Sequence, residues 1–134
     1  MKKLIAVAVL TSIFIFTASN SVAGSTLSGS EWKATFCNKT TDGKNLKSGW
    51  TFKIYINESC DKLTVHYLTG DRKGETFDRP LRVMGSGDVC VRRPNGKDRC
   101  WKVEPKGDGV FHRLGFSNGK HFVTDKNPVE GKQF

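Results

Sequence analysis

His112 and Asp125 are the one pair in the chain whose types and placement suggest acid–base chemistry. Asn118-Gly119 signals a tight hairpin. A two-residue turn there sets Phe116 opposite His121, Leu114 opposite Val123 and His112 opposite Asp125. A carboxylate that orients an imidazole makes a general base, and Arg113 is the next residue. One expectation is therefore a small secreted hydrolase of the ribonuclease type using His112. No second carboxylate or serine at a recognisable spacing completes a catalytic set, so a structural histidine is the plainer reading. His66 falls on the polar side of its strand, where exposure is expected.

A second cluster is suited to binding. Arg92, Arg93, Lys97 and Arg99 surround the single acid Asp98 between Cys90 and Cys100, and Lys102 and Lys106 follow. Concentrated positive charge of this kind attracts phosphate, nucleic acid or lipopolysaccharide. Aromatic residues do not interleave with these charges, which argues against a base-stacking platform. The alternative is a solvated face that keeps a basic protein soluble. The formal net charge of the whole chain is +9. That balance points to an anionic partner, either a phosphate-bearing polymer or an envelope surface. It weighs against an inhibitor of the lysozyme-inhibitor type, because like charges slow encounter with a basic lysozyme.

The elements that hold these residues belong to an exported chain. Lys2 and Lys3 precede an apolar run, Leu4–Phe16, too short to span a bilayer comfortably. Ser21-Val22-Ala23 then offers small side chains to a signal peptidase. Residues 1–23 are expected to be a signal peptide, and Gly24–Phe134 a single domain in the periplasm or the medium, without a transmembrane segment. Chemistry at Gly24 excludes a lipoprotein anchor, since no thiol is present for acylation.

Cys37, Cys60, Cys90 and Cys100 all lie in the mature part. An even count in a small exported domain reads as a disulfide framework. No Cys-x-x-Cys pair occurs and no histidine lies near a cysteine, so no metal is expected. No Gly-rich phosphate loop or other cofactor motif is present. Pro94-Asn95-Gly96 suits a three-residue hairpin loop, with Gly at the left-handed position. That register opposes Arg92 to Asp98, Val91 to Arg99 and Cys90 to Cys100. The last pair falls at a non-hydrogen-bonded site, where Cα atoms approach to about 4.5 Å, a gap a disulfide spans. A two-residue Asn-Gly turn would instead oppose Cys90 to Trp101. The three-residue loop favours Cys90–Cys100, and Cys37–Cys60 follows by elimination.

Apolar residues recur with period two through Trp50, Phe52, Ile54 and Ile56, and again through Leu63, Val65 and Tyr67. A four-residue loop, Glu58–Asp61, pairs Ile56 with Leu63, Ile54 with Val65 and Phe52 with Tyr67, so every apolar side chain shares one face. Val89, Val91, Trp101 and Val103 share the inner face of the cysteine hairpin. Trp32, Ala34 and Phe36 read as a first strand, and Asn38–Gly49 and Thr69–Pro80 as polar loops. No long segment has a helical period. The expected fold is all-β: an antiparallel meander of seven to eight strands, curled into a small barrel or sandwich and stapled by two disulfides.

Gly85-Ser86-Gly87-Asp88-Val89-Cys90, followed after Val91–Arg99 by Cys100-Trp101-Lys102-Val103 and Gly107-Asp108-Gly109, resembles a group of small exported bacterial β-domains of uncharacterised function. Leu27-Ser28-Gly29, Asn38-Lys39-Thr40 and Asp42-Gly43 are similar to their N-terminal half. The resemblance implies a β-rich exported domain and brings no catalytic residue. The sequence therefore favours a non-enzymatic binding or envelope-associated domain over the hydrolase and inhibitor readings.

Overall fold

The computed structural model describes residues 25–134; the expected signal peptide lies outside the described residues. Eight antiparallel strands close into a barrel in simple chain order, with β8 returning to pair with β1. The strands are β1 (Lys39–Asn45), β2 (Thr51–Ile56), β3 (Lys62–Tyr67), β4 (Thr76–Val83), β5 (Val89–Arg92), β6 (Asp98–Gly107), β7 (Val110–Gly115) and β8 (His121–Glu130). Closure leaves no sheet edge to recruit another chain.

Period-two patterning places the core. Phe52, Ile54 and Ile56 of β2 are buried and pair with Tyr67, Val65 and Leu63 of β3, the expected register. Val89, Val91, Trp101 and Val103 are buried across the β5–β6 hairpin. That hairpin also has the three-residue-loop register, with Arg92 against Asp98 and Cys90 against Cys100. The Cys90 and Cys100 Cα atoms are 4.1 Å apart and the residues are disulfide-bonded. Cys37 and Cys60 form the second bridge, with Cα atoms 5.4 Å apart.

Three expectations need correction. Residues 29–36 form a helix, α1 (Gly29–Phe36), and not a strand. Ser28 caps it: its hydroxyl accepts from the Glu31 amide while the Glu31 carboxylate accepts from the Ser28 amide. Trp32 and Phe36, one turn apart, are both buried, with ring centroids 5.1 Å apart. They border one small internal space with Ile56, Leu63 and Val103, so α1 closes that end of the barrel. The Cys37–Cys60 bridge ties the end of α1 to the β2–β3 loop.

The polar Asn38–Gly49 stretch is mostly strand β1. Its inward position opposite Phe52 is Gly43, where a Cβ would stand 2.2 Å from the Phe52 ring, so glycine makes room for that ring. Thr40 is buried with its hydroxyl bonded to the Gly131 carbonyl at 2.7 Å, which satisfies the polar group. The second expected loop, Thr69–Pro80, runs into strand β4 from Thr76.

Candidate ligand site at the barrel mouth

The end of the barrel away from α1 is open. A cavity of about 340 Å³ opens there, within the range of small-molecule pockets. Its inner wall is apolar, built from β2, β3, β5 and β6 by Phe52, Ile54, Leu63, Val65, Val91 and Trp101. An eight-stranded barrel is just wide enough to be filled by side chains or to hold one small ligand.

Five arginines line this cavity, Arg72, Arg79, Arg93, Arg99 and Arg113, and no carboxylate does. Strand alternation aims four of them, and Arg72 reaches the rim from the turn between β3 and β4. Arg99 pairs with Val91 and alternates with Trp101 and Val103, so it continues the inward row of β6. Arg93 follows Val89 and Val91 in the same way, just beyond β5. Arg79 lies between Phe77 and Leu81 on the inward row of β4. Arg113 is the inward residue of β7, opposite Val123.

Their partners divide them into two kinds. Arg113 is buried and grips buried Asp125 with two bonds, Nε to Oδ2 at 2.7 Å and Nη2 to Oδ1 at 2.9 Å. Its guanidinium also lies 4.8 Å from the Trp101 ring centroid. This is a fixed, neutralised floor. Arg72, at the rim, is exposed and paired with Glu75 at 3.2 Å. Arg79, Arg93 and Arg99 have no carboxylate partner among the described residues. Arg79 lies 4.1 Å from the Phe77 ring centroid, and Arg99 lies 4.7 Å from that of Phe122. Aromatic faces thus hold two of the three guanidiniums in place while leaving their N–H groups free of anionic partners. Arg99 is exposed as a residue. Even so, burial of its guanidinium lowers its pKa, and the charges of Arg93 and Arg113 lower it further against an opposing effect of Tyr67. Clustered positive charge with that repulsion is what an incoming anion relieves.

The four expected tip residues therefore separate. Arg93 and Arg99 enter the mouth. Arg92 points to the outer face, where its Nε donates to Asp98 Oδ1 at 2.6 Å and Arg82 bonds the other oxygen. These two arginines, Arg92 first, hold Asp98 below the usual carboxylate range. Lys97 is exposed at the turn, where its carbonyl accepts from the Arg93 amide. Arg79 and Arg72, distant in sequence from the tip, complete the ring. The signal for Arg79 was an arginine interrupting an apolar row, Phe77-x-Arg79-x-Leu81; Arg72, in the turn between β3 and β4, carried no such signal.

No family model, curated protein or solved structure matches the chain.

The expected His112–Asp125 pair does not form. The β7–β8 loop holds Phe116–Gly119, closed by the Gly115 and Lys120 backbones, and a bulge follows between Arg113 and Leu114. These shift the register, so Phe111 opposes Asp125 and His112 opposes Thr124. Asp125 is on the inner face with Arg113. His112 instead stacks on His121, ring centroids 3.5 Å apart, and pairs across the sheet with Glu104. Burial, then the charges of His121 and Lys106, push the His112 pKa below its usual value, against the opposing effect of Glu104. Among the described residues, no group of three or more metal-ligating side chains gathers.

Proposed function

We propose that the protein is an exported binding domain that takes an anionic partner at the open mouth of its barrel. The observation that carries this reading is the set of three arginines, Arg79, Arg93 and Arg99, unpaired by any carboxylate and lining one cavity. A concave site of one charge sign focuses its field and raises the local concentration of counter-ions. The signal-peptide pattern of residues 1–23 and the two disulfides support export. The resemblance to small exported bacterial domains agrees and adds no residue to the site. The hydrolase alternative has less support, because the carboxylate it assigned to His112 is bound to Arg113.

Inorganic polyphosphate is a suitable probe. If three guanidiniums each displace a condensed counter-ion, affinity falls roughly twenty- to fortyfold between about 50 and 200 mM salt. The triple variant Arg79→Gln/Arg93→Gln/Arg99→Gln loses binding. Salt-insensitive binding, or binding unchanged in the triple variant, overturns the reading.

A further inference from the structure

The arginine ring is only the upper part of the cavity. Below it the wall is made by Phe52, Ile54, Leu63, Val65, Val91 and Trp101. A site meant only for inorganic anions or a polymer's phosphates has no use for such a wall, since a hydrated ion gains nothing from apolar surface. A barrel end filled by side chains would also leave no such space, as the α1 end shows: the space beneath Trp32 and Phe36 is about 20 Å³. The floor cation, Arg113, is already neutralised by Asp125 and does not call for an anionic ligand.

We propose that the natural ligand is a small amphiphilic acid, bound one per barrel, with its apolar body inside the barrel and its acid group among Arg79, Arg93 and Arg99. This deepens the binding reading above and rests on it. The guanidiniums held against the Phe77 and Phe122 rings present a rim that is apolar on its faces and cationic at its edges. A carboxylate, sulfonate or phosphate head bonds to the edges. A ring or short chain passes between them and displaces water from the wall. Phe122 belongs to the mouth because of the bulge that shifts the β7–β8 register.

Three probes read by titration calorimetry test this on the purified protein: naphthalene-2-sulfonate, methanesulfonate and inorganic polyphosphate. Naphthalene-2-sulfonate is expected to bind one to one, at least about tenfold tighter than methanesulfonate, because each 1.4 kcal/mol of apolar burial is a factor of ten. Arg93→Gln/Arg99→Gln should weaken it at least about tenfold with an unshifted melting transition. Equal affinity for the two sulfonates overturns the amphiphile and leaves the anion reading standing. So does arginine-dependent binding of polyphosphate alone. Naphthalene-2-sulfonate binding that ignores the arginines, or no binding of any probe, overturns both.

Discussion

Arg99 and Arg113 share one cavity wall, yet the structure gives them opposite roles. Arg113 is matched to buried Asp125, and removing one partner of a buried ion pair leaves an uncompensated charge. Arg113→Gln is expected to cost about 3 kcal/mol or more in a denaturant titration. Arg99→Gln removes a partly solvated cation that neighbours repel, and should change stability by no more than about 0.5 kcal/mol. Equal losses from the two substitutions would contradict this division. At the same scale, His112 makes stability pH-dependent. Its folded-state pKa lies below the unfolded value, so the unfolded chain protonates first as pH falls. The stability it allows is complete above the unfolded value of about 6.5 and is lost as pH falls through the depressed folded value. His112→Asn should flatten the stability profile below about pH 6.5 relative to the parent protein; an unchanged slope would rule out this contribution.

At the scale of elements, the sequence spoke clearly where local chemistry decided the outcome. The Pro94-Asn95-Gly96 loop fixed the β5–β6 register, and with it the Cys90–Cys100 bridge. The β2–β3 hairpin followed from its apolar rows. The misses have physical reasons. Trp32, Ala34 and Phe36 satisfy a period of two, but Trp32 and Phe36 are also one helical turn apart. The capping box Ser28-x-x-Glu31 decides for the helix. Strand β1 is almost wholly polar, yet it lines the barrel because the buried Thr40 hydroxyl finds a backbone partner and Gly43 yields space to Phe52. Asn118-Gly119 did mark a hairpin, but its loop holds four residues instead of two and a bulge follows, so His112 lies opposite Thr124 and apart from Asp125. The box can be tested directly. Ser28→Ala should cost about 1 kcal/mol, and adding Glu31→Ala should cost less than the sum of the two singles, since both act on one cap. Full additivity would show that the box does not act as a unit.

The whole molecule is a barrel with unlike ends. Helix α1, held through the Cys37–Cys60 bridge, fills one end with Trp32 and Phe36, while the other end stays open beneath arginines. Pairing of β4, β5 and β6 sets Arg79, Arg93 and Arg99 side by side, and the barrel turns all three toward one space. The sequence alone offered the hairpin tip as a single basic cluster; closure divides that cluster between the outer face and the mouth. On the proposed function, the mouth and not the outer tip takes the anion. The most direct measurement follows arginine side-chain Nε–Hε resonances by NMR while naphthalene-2-sulfonate is added. Shifts are expected at Arg79, Arg93 and Arg99 that saturate together, with Arg82 and Arg92 unmoved in their bonds to Asp98. Shifts confined to Arg82 and Arg92, with the mouth arginines silent, would contradict it.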